Sequence, residues 1–158
     1  MSTTYKSSQV TSNRVRGNWR GAAFVVTGSI DLTTALVAGD VVELCQVPNG
    51  YEVVDVIVNA PQLDTGTTPT IVFEVGDSTT AARYIKGSTI AQTGGVVRTG
   101  EAGGTAYAYT VGDNNGQTSG GNAGATIIQL QCTTAAATWA NGTVTCCVLL
   151  MESYGAFA

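Results

Sequence analysis

Eight stretches of this chain alternate apolar and polar residues with a period of two, or run continuously apolar, over five to ten residues. Each is closed by glycine, proline, asparagine or aspartate. A period of two puts successive side chains on opposite faces of an extended strand, and breaker residues end it. The runs are AAFVVTG (22–28), DVVELCQV (40–47), EVVDVIVNA (52–60), TIVFEVG (70–76), ARYIKG (82–87), TAYAYTVG (105–112), TIIQLQC (126–132) and TVTCCVLLME (143–152). In the second, Val42, Leu44 and Gln46 fall on one face, and Val41, Glu43, Cys45 and Val47 on the other. In the third, Val54, Val56 and Val58 oppose Val53, Asp55 and Ile57. VPNGY (47–51) is a compact turn signal between two strands, and LDTGTTP (63–69), VGDNNGQTSGGNAG (111–124) and ANGT (140–143) are further breaker clusters. STTAAR and TTAAATWANG carry alanines, but their threonines and flanking glycines limit each to about a turn of helix. The pattern predicts an all-β chain: a single β-sandwich, most simply jelly-roll-like, over residues 18–158. Residues 1–17, MSTTYKSSQVTSNRVRG, sustain no apolar period and read as an extended N-terminal arm. At ~3.3–3.6 Å per residue such an arm reaches roughly 55–60 Å.

The length of 158 residues suits one domain with its own core. No apolar run approaches the ~20 residues that span a membrane, and the polar start MSTTYKSSQV is not a secretory leader, so synthesis in a cytosol is expected. Charge is segregated. Lys6, Arg14, Arg16 and Arg20 give residues 1–30 a net charge of +4, while residues 31–158 carry −8. An acidic body argues against a nucleic-acid face, and a basic arm lying on an acidic protein surface fits better.

Gly76-Asp77-Ser78 follows a strand-like run, and in some hydrolases such a string carries the nucleophilic serine. A serine hydroxyl needs a base, most often histidine, and the chain has no histidine. Its two lysines, Lys6 and Lys86, lie in the arm and beside a polar turn, where an amine stays protonated. The string therefore reads as a turn, and no catalytic residues are assigned. Cys45, Cys132, Cys146 and Cys147 lack the two-to-four-residue spacing of zinc ligands. Cys146 and Cys147 are strand neighbours pointing to opposite faces. They read as small buried apolar residues, with an inter-strand disulfide open to them outside a cell, and neither metal nor cofactor is expected. Tyr107 and Tyr109 share one face and read first as core or subunit-interface residues. Trp19 and Trp139 read as rim or core anchors, and the ending ESYGAFA as an apolar tail suited to a neighbouring subunit.

The ordered set TTYKSSQVTSNR, GDVVELCQVPNGYEVVDVIV, FEVGDSTTAARYIKG and TVTCCVLLME resembles the small β-sandwich capsid decoration, or cement, proteins of tailed bacteriophages. The resemblance covers residues 1–110 and the last strand. It implies a virion structural protein without chemistry of its own, made in the host bacterial cytoplasm. Such a protein sits on the outer capsid surface, often as a trimer at local three-fold positions, and clamps copies of the major capsid protein. On that reading Tyr5, Lys6, Arg14 and Arg16 of the arm bind the capsid. Asp77, Arg83, Tyr84, Tyr107 and Tyr109 serve subunit interfaces, with no nucleic acid, membrane or cofactor involved. In the Asp77 turn, Gly76 is expected to supply an unusual backbone dihedral, Asp77 and Ser78 to bond backbone N–H groups, and Asp77 to pair with Arg83 across the turn or across a subunit contact. The alternative is a receptor- or carbohydrate-binding module of a head fibre or tail, carried by Tyr107, Tyr109 and the 111–124 loop.

Overall fold

The computed structural model describes residues 2–7, 10–11, 23–48, 51–99, 109–111 and 125–152. They form an all-β sandwich. In chain order the elements are β1 (Thr4–Lys6), β2 (Phe24–Leu32), β3 (Val41–Pro48), β4 (Tyr51–Ala60), β5 (Val72–Gly76), β6 (Ile85–Ser88), a helical turn α1 (Ile90–Thr93), β7 (Gly95–Arg98), β8 (Tyr109–Val111), β9 (Ala125–Thr134) and β10 (Gly142–Glu152). The first sheet runs β1-β3-β9-β5-β6. The second runs β2-β10-β4-β7, with β8 also on β4. Only β1 on β3 is parallel among the described pairs.

Each of the eight expected strands is present. The compact turn after Val47 is not a hairpin, however. β3 pairs with β1 and β9, while β4 pairs with β10, β7 and β8, so the chain crosses from one sheet to the other there. Crossing is what both strands need, because β3 and β4 each carry an apolar set that must face the other sheet.

The core holds Val42, Leu44, Ile128 and Leu130 from one sheet against Val56, Val58, Val144 and Val148 from the other, all essentially inaccessible. Strict alternation fails at bulges on β3 and β4. Glu43 faces Gln129 and Cys45 faces Ile128, so Leu44 is an extra residue, and Cys45 and Val47 turn inward with it. Leu149 faces Asp55 and Leu150 faces Val53, so Val54 is extra, and Val53 rather than Val54 is in the core. One extra residue shifts the phase of every side chain beyond it.

The sheets pinch together at Gly28. It pairs with Cys146 on β10, and a β-carbon there would lie 2.0 Å from the Leu44 carbonyl oxygen. Only a residue without a side chain lets β2 lie against the β3 backbone.

One end of the sandwich is tied by Asp64, whose side chain is fully enclosed. Its Oδ1 accepts from the N–H groups of Gly66 (3.1 Å) and Thr138 (2.9 Å). Its Oδ2 accepts from Thr70 (2.7 Å), Ile71 (3.3 Å) and Ala137 (2.8 Å). These donors lie in two of the connections that cross between the sheets, β4 to β5 and β9 to β10. Around them, Thr65 N–H donates to the Thr138 carbonyl and Ala140 N–H to the Leu63 carbonyl, both at 2.9 Å. Burial pushes the Asp64 carboxyl upward, but the N–H groups of Thr70, Thr138, Ala137 and Gly66 outweigh it and hold the acid well below the usual carboxylate range.

Because the folded acid titrates below its ordinary value of 3.8, its stabilisation is complete above that pH and is withdrawn as pH falls toward the folded value. Asp64→Asn keeps the shape but turns an NH2 toward N–H donors. At neutral pH the variant is expected to melt lower by on the order of 10 °C. In thermal melts from pH 7 down to about pH 2 the gap to the native protein should narrow below about pH 4.

Candidate functional site

The turn after β5 is built around the Asp77 carboxylate, which is 1% exposed. Oδ1 accepts from the N–H groups of Thr79 (2.9 Å) and Thr80 (2.8 Å), and Oδ2 accepts from Arg83 Nε. Arg83 Nη2 also reaches Thr80 Oγ1 at 3.1 Å. The Asp77 N–H donates to the Thr80 carbonyl at 3.1 Å, and Gln129 Nε2 donates to the Asp77 carbonyl at 3.2 Å. Asp77 therefore pairs with Arg83 across the turn, inside one chain. Gly76 is required, but for a different reason than its dihedral. A β-carbon there would lie 2.0 Å from the Thr80 carbonyl oxygen and 2.6 Å from that of Ala81. Ser78 is exposed, and the adjacent carboxylate is occupied by the turn and by Arg83. Tyr84 is fully enclosed in the core. Asp77, Arg83 and Tyr84 are thus brought together to close the β5–β6 connection, and Asp77 and Tyr84 present almost no surface.

Of the arm, residues 2–7 lie along the edge of β3. Thr3 N–H donates to Asp40 Oδ1 at 2.7 Å, Val41 N–H to the Thr3 carbonyl at 3.0 Å, and Ser7 N–H to the Glu43 carbonyl at 2.7 Å. Ser7 is inaccessible, its hydroxyl donating to the Leu44 carbonyl. Tyr5 packs on the core, and Lys6 pairs with Glu43 on the outer side of the sheet. This basic-on-acidic contact is with the chain's own body. Arg14, Arg16 and Tyr107 lie outside the described residues. Tyr109 is placed through its backbone alone, opposite Val53 at the start of β8.

The two outer faces of the sandwich differ in chemistry. On the first sheet, Glu43 stands opposite Gln129, and Gln131 opposite Glu74, with Thr133 and Lys86 exposed nearby. That is the polar solvent face expected of an antiparallel sheet. On the second sheet, Val25 stands opposite Leu149, and Cys147 lies between Thr27 and Ile57. Val96 and Met151 flank them, and Val25, Val96 and Met151 are 55%, 57% and 46% exposed. On this face Asp55 pairs with Arg98, and Asp31 at the rim accepts from the Thr143 hydroxyl at 2.6 Å. Ser29, Asn59, Thr145 and Glu52 share this face in cross-strand register, so it carries an apolar patch bordered by polar residues. Sequence reasoning named none of these residues as a site. The continuously apolar run of β10 was the available signal, since a strand apolar on both faces needs cover on both.

No group of three or more metal-ligating side chains is assembled among the described residues, and no helix among them is long and apolar enough to cross a membrane.

No protein-family model and no curated protein matches the chain. Two solved structures are similar. A chain of the cyanophage Pam1 capsid asymmetric unit superposes with a TM-score of 0.66 at 29% identity, covering 87% of this chain and 90% of that one. A chain of the capsid of Ralstonia phage GP4 superposes with a TM-score of 0.75 at 23% identity, covering 96% of this chain and 99% of that one. Both belong to phage capsids. The Pam1 likeness supports a phage capsid-related protein, and the GP4 likeness supports the fold.

If the Asp77 carboxylate organises the turn, its replacements should rank. Asp77→Ala, which strands Arg83 and two N–H groups, is expected to destabilise by about 2–4 kcal/mol. Asp77→Asn keeps one acceptor oxygen and should lose less. Chemical denaturation of the two variants checks the order, and equal losses would deny the carboxylate its ionic role.

Proposed function

We propose that this chain is a virion structural protein that decorates the outside of a phage capsid. It acts as a cement protein, lying across contacts between copies of the major capsid protein and stabilising them. It does so as a homo-oligomer, a trimer being the form the family resemblance favours. The capsid-related part rests on the likeness to the two phage capsid chains. The docking part rests on one observation: the contrast between the two outer faces of the sandwich.

A sheet face bearing Val25, Ile57, Cys147 and Leu149 leaves apolar surface in water unless protein covers it. Covering apolar area at roughly 25 cal/mol per Å² favours association without a directed charge. The rest of the sandwich supplies a rigid support. The affinity of each copy is free to be modest, because many copies on a lattice act together. The polar face of the first sheet, with Lys6 bound to Glu43, then points to solvent. Arg14 and Arg16 of the N-terminal segment contribute to capsid binding on the same reading.

The test is a Val25→Lys, Met151→Lys double variant. Both side chains are about half exposed, so lysine is accommodated in the free protein and the melting temperature should move by only a few degrees. Binding to heads stripped of this protein should weaken at least tenfold, roughly 1.4 kcal/mol or more. Unchanged binding would remove the second sheet's outer face from the docking surface.

A further inference from the structure

Cys45 and Cys146 meet across the sandwich. Cys45 lies on β3 in the first sheet and Cys146 on β10 in the second, and both are fully enclosed. The Cys45 thiol donates to the Cys146 carbonyl at 3.7 Å, a contact between residues 101 positions apart in sequence. Cys146 itself points inward, in phase with Val144, Val148 and Leu150, so its sulfur faces the sheet that carries Cys45. The neighbour of this pair is Gly28, whose missing side chain leaves the Cys45 sulfur 3.1 Å from where a β-carbon would be. The two sulfurs therefore share the place where the sheets come closest. Cys132 is inward on β9, where its thiol donates to the Thr134 carbonyl at 3.3 Å, and Cys147 faces outward beside Ile57.

We propose that Cys45 and Cys146 are a disulfide-forming site, a covalent staple between the two sheets that closes under peroxide oxidation. One thiolate attacks a peroxide oxygen, giving a sulfenic acid and releasing hydroxide. The second sulfur then attacks the first, forming the S–S bond and expelling the sulfenic oxygen as water. In total two thiols and one hydrogen peroxide give one disulfide and two waters, so the two sulfurs lose the two electrons that reduce the peroxide. Hydrogen peroxide is small enough to enter during local opening, whereas a bulkier disulfide reagent would have to be lodged in the core. The hydrogen bond with Cys45, followed by burial, pushes the Cys146 thiol well above its usual range, which makes its thiolate scarce. A bridge closing so long a loop restrains the unfolded chain strongly. This inference stands on the geometry of the core and does not depend on the capsid reading.

The experiment uses the full chain, reduced, freed of reductant, and then exposed in its folded state to hydrogen peroxide. Intact mass should fall by two hydrogens. Tryptic digestion without reduction should join the peptide holding Cys45 to the one holding Cys146, with the linkage surviving in Cys132→Ala and Cys147→Ala and vanishing in Cys146→Ala and Cys45→Ala. The oxidised protein should melt higher by on the order of 10 °C, and reductant should reverse the rise. Three results would each overturn the site: a folded native chain that gains oxygen without cross-linking, a cross-link that persists in Cys146→Ala, or a bridge that appears only after denaturation. The intact native chain and the two retained-linkage variants keep the test decisive if Cys45→Ala or Cys146→Ala folds poorly.

Discussion

A buried carboxylate dressed by five backbone N–H groups fixes the geometry on which the rest of this sandwich depends. Asp64 has no cation bonded to it among the described residues, so its charge is met by peptide dipoles from two loops. Those loops are two of the connections that cross between the sheets. Each must leave one sheet, turn, and enter the other, exposing N–H groups that no strand partner can satisfy. One acidic side chain satisfies five of them together. The arrangement is directional, since a neutral amide offers donors where only acceptors fit. Joining both crossings at one point sets how far apart the sheets stand at that end.

With that end fixed, the remaining geometry follows from close approach. Gly28 brings β2 against β3, and this also brings Cys45 to Cys146. Gly76 lets the chain fold back on its own carbonyls, and Asp77 with Arg83 holds it there. The inner faces are then alike, both lined by valine, leucine and isoleucine. The outer faces are not. The first is a ladder of Glu, Gln and Thr, to which Lys6 adds a surface pair of small energetic weight. The second carries Val25, Leu149, Cys147 and Ile57 in cross-strand register.

Strand content was readable because a period of two is written directly in side-chain types, from Val41 to Pro48 as from Gly142 to Glu152. What escaped was carried by the main chain or by distant partners. β1 has no apolar period, since its pairing uses backbone groups, Asp40 and Ser7 rather than a hydrophobic stripe. β7 is only Gly95–Arg98, too short for a pattern. The bulges at Leu44 and Val54 are invisible until the partner strands are known. The stretch LDTGTTP looked like breakers and nothing more. That Ala137 and Thr138, 73 and 74 residues on, complete the shell of Asp64 was not legible. The apolar patch on the outer face left a trace in the apolar run CCVLLM, whose two-sided character in an antiparallel sheet calls for cover on both faces.

The central claim is that this protein decorates a capsid shell. The most direct measurement is its copy number in purified particles from its source, by quantitative mass spectrometry against the major shell protein. Decoration predicts a count equal to that of the shell protein or a simple fraction of it. A handful of copies per particle, or none, would contradict it.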